Sequence, residues 1–128
     1  MAPDGPALKC LVADDEPQIG ALVREVLARE GYAVDTVADG AEAARRLAEA
    51  EYALVISDVR MPGKTGVELA RELRAAGRKT PVVLMSSFLS EEILAACAAV
   101  DHLALLQKPF GLVDLRLAIG RAAAAAPR

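Results

Sequence analysis

The sequence predicts a single α/β domain, residues 1–128, in which five short strands alternate with five helices around a parallel sheet. Three observations carry this. Runs rich in Val, Leu, Ile and Ala recur along the chain, each followed by helical periodicity or helix punctuation. The run Leu54-Val55-Ile56-Ser57 is apolar without alternation, as befits a strand covered on both faces. The 128 residues suit one core, expected over about residues 8–124, and no repeat or linker divides them. Strand–helix alternation of this kind implies right-handed crossovers.

The first strand is expected at about Lys9–Ala13. A helix follows over about Pro17–Glu30, with Pro17 suited to its first turn and Gly31 to the position after its end. Ile19, Leu22, Val23, Val26 and Leu27 form one apolar stripe on it, expected to be buried. Ala33–Val37 is the second strand. Asp39 caps a helix to about Ala50, and Glu42 completes an Asp-x-x-Glu box. After the third strand, Leu54–Ser57, comes a loop with Pro62 and Gly63. Thr65-Gly66-Val67-Glu68 then reads as a capping box for a helix to about Ala76, closed by Gly77. Val82–Met85 is the fourth strand, and Ser90 caps the next helix, with Glu91 and Glu92 in its first turn. Leu103–Leu106 is the fifth strand, and about Leu112–Ala124 the last helix. The alanine-rich tail, Ala122–Ala126 and Pro127-Arg128, is expected to fray.

Composition excludes several function classes. The chain is 54% hydrophobic, 26% charged and 3% aromatic, with a formal net charge of −3. That is neither a disordered chain nor the basic footprint of a direct nucleic-acid binder. No apolar run approaches the ~18 residues of a membrane span, so membrane insertion is not expected. The start, Met1 to Pro6, lacks the basic and apolar regions of a signal peptide. Cys10 and Cys97 have no metal-ligand spacing and read as buried free thiols, which points to a reducing cytoplasm. His102 opens the fifth strand instead of lying on an exposed helix face, which does not suit a phosphorylated histidine.

The chemistry-bearing residues cluster at predicted strand ends. Asp14 and Asp15 close the first strand, Asp58 the third, Ser86 the fourth, and Lys108 follows the fifth. In an open parallel sheet the carboxyl ends of the strands line the crevice where ligands bind. Asp58 in that place can be a metal ligand, a nucleophile or a loop cap. One of Asp14 and Asp15 can cap the helix at Pro17, which does not explain both. Carboxylates crowded together repel one another and share a raised titration. A divalent cation offsets this, and Mg²⁺ suits the site because it is hard, takes oxygen ligands and keeps several waters. Lys108 adds a mobile point charge, and Pro109 restricts its backbone to extended geometry. Ser87 is an alternative to Ser86 as the hydroxyl of the crevice.

Taken in order, these features are specific. Asp14-Asp15, Asp58, Met61-Pro62-Gly63, Gly66, Ser86 and Lys108-Pro109-Phe110 together resemble the response-regulator receiver domain of two-component signalling. The resemblance covers the whole chain and implies a flavodoxin-like fold with strand order 2-1-3-4-5. It implies that Asp58 accepts a phosphoryl group from a phosphohistidine on a histidine kinase or histidine phosphotransfer protein, and later loses it. It also implies Mg²⁺, with Mn²⁺ as a substitute, held by Asp15, Asp58 and the main-chain carbonyl of Arg60, with Asp14 acting mostly through water. Ser86 and Lys108 would hold the phosphoryl oxygens. An output partner would meet the face formed by the fourth helix, fifth strand and fifth helix.

Leu84-Met85-Ser86-Ser87-Phe88 and Leu105 to Phe110 are locally similar to receivers attached to hybrid histidine kinases. The chain departs from the family at Leu105, where receivers often carry an aromatic that swings inward when the site is occupied. Arg60 and Phe88 stand where receivers tune phosphoryl lifetime; a bulky Phe88 would shield the acyl phosphate and slow its loss. A phosphatase with an aspartyl nucleophile would share the acid–metal–lysine logic, but it needs a second acid where Arg60 stands, so no independent substrate turnover is expected. A flavin carrier would share the fold, but Asp14-Asp15-Glu16 would repel its phosphate.

Overall fold

The computed structural model describes residues 8–125. Along them run β1 (Leu8–Ala13), α1 (Pro17–Arg29), β2 (Tyr32–Val37), α2 (Gly40–Glu49), β3 (Leu54–Asp58), α3 (Gly66–Ala75), β4 (Val82–Ser86), α4 (Glu91–Ala98), β5 (Ala104–Gln107) and α5 (Leu112–Ala125). The strands form one sheet in the order β2-β1-β3-β4-β5, all neighbours parallel. This is the expected flavodoxin-like arrangement. The expectations about the leader-free start and the extreme tail lie outside the described residues.

Strand periodicity explains the layers. Successive side chains point to opposite faces. Leu11 and Ala13 of β1 join a core with α2, α3 and α4 residues such as Ala43, Leu47, Leu69, Leu73 and Cys97. Cys10 and Val12 join the opposite core with Val23, Val26 and Leu27 of α1 and Leu115, Ala118 and Ile119 of α5. Both faces are covered, so β3 and β4 are buried throughout their length and read as continuous apolar runs. At ~25 cal/mol per Å² of apolar surface, each fully buried Leu, Ile or Val contributes about 1.5–3 kcal/mol.

Three strand ends differ from the expectation by a residue, and in one direction. Asp58 pairs with Met85, and Ser86 with Gln107, so both polar residues lie within strands. Hydrophobicity marks where a strand is covered, whereas the ladder is made by backbone groups that are indifferent to side-chain polarity.

Two local expectations are corrected. Leu22 is 46% exposed; it lies on the flank of α1, while Val23, Val26 and Leu27 face the sheet. The Asp39 box is only half made. Asp39 accepts the Glu42 amide at 2.7 Å, but the Glu42 carboxylate pairs with Arg45 and Arg46 at 3.4 and 3.7 Å. Opposite charges at i+3 and i+4 compete successfully for that carboxylate. The Thr65–Glu68 box is complete, at 3.1 and 2.8 Å. Ser90 accepts the Ile93 amide at 3.1 Å.

Candidate functional site

The chain leaves β1 toward one side and β3 toward the other, opening a crevice beyond the carboxyl ends of these strands. The backbone ladder continues into its rim. The Asp14 amide donates to Val37 at 3.1 Å, the Val59 amide to Met85 at 2.7 Å, and the Lys108 amide to Ser86 at 2.8 Å. The side chains are therefore launched from paired backbone, where geometry is well held. The Lys108–Pro109 peptide is cis.

Lys108 gathers the acids. Its Nζ lies 3.0 Å from Asp58 Oδ2, 2.9 Å from Glu16 Oε1 and 2.8 Å from Asp14 Oδ2. It donates hydrogen bonds to Asp58 and Glu16. Asp14, Asp58 and Lys108 are buried, at 4%, 7% and 8% exposure. Asp14 Oδ1 accepts the Glu16 amide at 2.8 Å. Asp14 Oδ2 touches the ammonium without hydrogen-bond alignment and is a buried oxygen with no hydrogen-bond partner.

Burial pushes the Asp58 carboxyl above its ordinary range; Lys108 opposes this, and the Asp14 charge adds to it. Burial alone would lower the Lys108 pKa. The carboxylates of Asp14, Glu16 and Asp58 outweigh that and raise it, so the lysine is held firmly as a cation.

Carboxylate oxygens of Asp14, Glu16 and Asp58 all lie within 4.8 Å of one another. Asp14 and Asp58 supply the buried oxygens of this group, with Asp14 Oδ2 lacking a hydrogen-bond partner, and as anionic oxygen donors they fit a hard divalent cation such as Mg²⁺, while Glu16 is engaged by Lys108 at the exposed rim.

The remaining predicted residues fall as follows. Asp15 is exposed and outside this converging group, and Arg60 is exposed in the loop after β3. Ser86 is buried at 2% exposure, whereas Ser87 is exposed. The Ser86 hydroxyl donates to the Phe88 carbonyl at 2.9 Å and accepts its amide at 3.2 Å. Phe88 itself is 60% exposed. Leu105 is half-buried and packs against the core beneath α4. His102 is apart from the site, with Nδ1 2.9 Å from the Val100 carbonyl.

Sequence reasoning missed two residues. Glu16 was visible as a third consecutive acid, in an N-cap position where Glu is not favoured. Gly40 gave no signal. Its amide donates to Pro62 at 2.9 Å, and a Cβ there would lie 1.9 Å from the Lys64 carbonyl oxygen. The start of α2 thus packs directly on the loop that follows Asp58. Gly66 does the same for α3: a Cβ there would meet the Asp58 carbonyl oxygen at 2.5 Å.

Buried acids at the ends of two strands and a lysine after a third, gathered at the switch point of a doubly wound sheet, define an α/β module with an acidic, lysine-bearing crevice. The chain belongs to the response regulator receiver domain family, whose model matches residues 10–120. Receiver domains are signalling modules, not conventional enzymes. The transcriptional regulatory protein TcrA of Mycobacterium tuberculosis is 36% identical over 110 residues, covering 84% of this chain and 43% of that protein. The chain spans about a third to a half of the length of the curated relatives it matches. Among solved structures, the chemotaxis response regulator CheY4 of Vibrio cholerae is 33% identical with a TM-score of 0.82, over 91% of this chain and 99% of that one. The response regulator TrrA of Thermotoga maritima, solved in complex with Mg²⁺-BeF, is 32% identical with a TM-score of 0.78, over 90% and 98%.

Proposed function

We propose that the chain is a phosphorylation-controlled switch in which Asp58 is the phosphoacceptor. One observation carries this: the Asp58 carboxylate is buried at a strand end, 3.0 Å from a buried lysine and beside a second buried acid. The donor is a phosphohistidine on a histidine kinase or a histidine phosphotransfer protein. An Asp58 oxygen attacks phosphorus, the phosphorus–nitrogen bond breaks, and the nitrogen keeps the electron pair. Later water attacks phosphorus, the bond to Asp58 breaks, and orthophosphate leaves.

Phosphoryl transfer of this kind needs positioning and charge neutralisation. Mg²⁺, with Mn²⁺ as a substitute, would be held by Asp14, Asp15, Asp58 and the Arg60 carbonyl, and would supply positive charge beside the transferred group. Lys108 supplies the second positive charge, and its amide is tied to the strand that carries Ser86. The Ser86 hydroxyl exchanges its Phe88 partners for a phosphoryl oxygen. Phe88 and Arg60 flank the site and set the lifetime of the acyl phosphate. The response passes to a partner at the α4–β5–α5 face, with Leu105 acting by packing in place of an aromatic switch. No helix among the described residues is long and apolar enough to cross a membrane, and a cytoplasmic setting fits the two free, buried thiols.

Incubation with Mg²⁺ and acetyl phosphate, read by intact mass, tests the reading. One added phosphoryl group is expected on the parent and none on Asp58→Asn. Labelling that survives Asp58→Asn, or a parent never labelled, would overturn it. Asp15→Ala is expected to weaken Mg²⁺ binding while the domain stays folded; an unfolded variant would make Asp15 a structural cap.

A further inference from the structure

Glu16 occupies the N-cap of α1, yet its side chain makes no capping hydrogen bond. Ser, Thr, Asp and Asn are favoured there because a short side chain reaches the next amides. Glu16 instead reaches across the crevice to Lys108 at 2.9 Å. Its backbone is held from both sides: the Glu16 amide donates to Asp14 Oδ1, and its carbonyl accepts from Ile19 and Gly20. The side chain is thus anchored at its base and held at its tip by Lys108 alone among the described side chains. Among the three acids on Lys108 it is the accessible one, at 48% side-chain exposure against 0% for Asp14 and 10% for Asp58.

An ammonium has three donors and no others. Here two are committed, to Asp58 and Glu16, and the Asp14 carboxylate lies against it at 2.8 Å. A phosphoryl oxygen arriving on Asp58 needs a place at this ammonium, which three carboxylate oxygens now surround at 2.8, 2.9 and 3.0 Å. Asp14 and Asp58 are buried in the crevice wall, whereas the half-exposed Glu16 side chain has solvent to swing into.

We infer that Glu16 is a positioning residue that holds Lys108 in the unphosphorylated state and must release it for phosphoryl transfer. This rests on the reading of Asp58 as phosphoacceptor. In this role Glu16 restrains the switch. It draws the lysine away from the incoming group and adds one negative charge beside an arriving dianion.

The test compares Glu16→Gln and Glu16→Asp with the parent, using acetyl phosphate and Mg²⁺. Glu16→Gln removes the charge; Glu16→Asp keeps it but shortens the reach by a methylene. Both are expected to label Asp58 about three- to fivefold faster, the rate equivalent of a half-exposed ion pair. Mg²⁺ affinity measured by calorimetry is expected to stay within about threefold of the parent, and Glu16→Gln is expected to melt with the parent because no cap is lost. A purely structural residue would move the melting temperature and not the rate. Three results would overturn the role. One is a Glu16→Gln protein that labels no faster than a labelled parent. Another is Glu16→Asp behaving as the parent. The third is a tenfold or greater loss of Mg²⁺ affinity in Glu16→Gln, which would make Glu16 a metal ligand. A parent never labelled removes the phosphoacceptor reading and this role with it; a labelled parent with unmoved variants removes this role alone.

Discussion

Replacing Gly66 with alanine probes how tightly α3 is set against the strand that carries Asp58. The new Cβ would lie 2.5 Å from the Asp58 carbonyl oxygen, and 3.0 Å from both Leu84 Cδ2 and Ser57 Oγ. Ordinary contact begins near 3.4 Å, so the carbonyl must give way by about 0.9 Å. That carbonyl accepts the Ser57 hydroxyl at 2.9 Å and belongs to a strand paired on both sides, so it cannot swing aside as a surface side chain would. Overpacking of this kind costs about 1–3 kcal/mol, and a backbone clash belongs at the upper end. The alanine regains about 0.4–1 kcal/mol by restricting the unfolded chain. The net loss is about 2 kcal/mol, or a fall of about 6–10 °C in Tm for a domain of this size. Moving Asp58 by most of an ångström should also slow acetyl phosphate labelling by about ten- to a hundredfold. Gly120→Ala in α5 is the control, because a Cβ there meets nothing within 4 Å; it should stabilise by about 0.5–1 kcal/mol. Thermal unfolding followed by circular dichroism at 222 nm distinguishes the two. A Gly66→Ala protein that melts at or above the parent refutes the reasoning.

Arg78 donates to the Leu47 and Ala50 carbonyls at the end of α2, so Arg78→Ala should cost about 1.5–3 kcal/mol in urea unfolding. Arg78→Lys should recover little of it, since an ammonium lacks the planar fork. The Glu68 carboxyl lies below its ordinary value of 4.5, chiefly through the Thr65 amide. A depressed carboxylate stabilises above its unfolded pKa and loses that as pH falls through the folded one. Glu68→Gln should therefore melt below the parent near pH 6, and the gap should narrow as the pH falls below 4.5; a gap that stays constant would dismiss the charge effect. Mg²⁺ at about ten times its Kd should stabilise the parent by about 1.4 kcal/mol. EDTA should reverse this, and Asp14→Asn combined with Asp58→Asn should abolish it; a shift that survives the double substitution places the ion elsewhere.

The strand ends were legible because a buried parallel strand is apolar along its length and the first charge marks its exit. That logic found Asp14, Asp58 and Lys108, which meet across long stretches of sequence. It did not find Glu16, because which of three consecutive acids turns inward depends on backbone direction after β1. Asp15 is exposed, while the next residue reaches Lys108. Leu22 shows the limit of periodicity: an apolar stripe can be wider than the face a sheet covers. Glu42 shows the limit of capping motifs, since Arg45 and Arg46 compete for the same carboxylate. Gly40 was invisible because its contact, with the loop at Lys64, is set by tertiary packing alone.

The sheet that separates the two cores also separates the two thiols. Cys10 lies in the layer with α1 and α5, and Cys97 in the layer with α2, α3 and α4. They cannot reach one another without dismantling the sheet, so the folded chain is indifferent to oxidants that would cross-link it. Burial also pushes both thiols up, away from the reactive thiolate. Each layer thus carries a silent reporter. The rate at which a thiol reagent modifies Cys10 or Cys97 reads how often that half of the molecule opens, without any label being added.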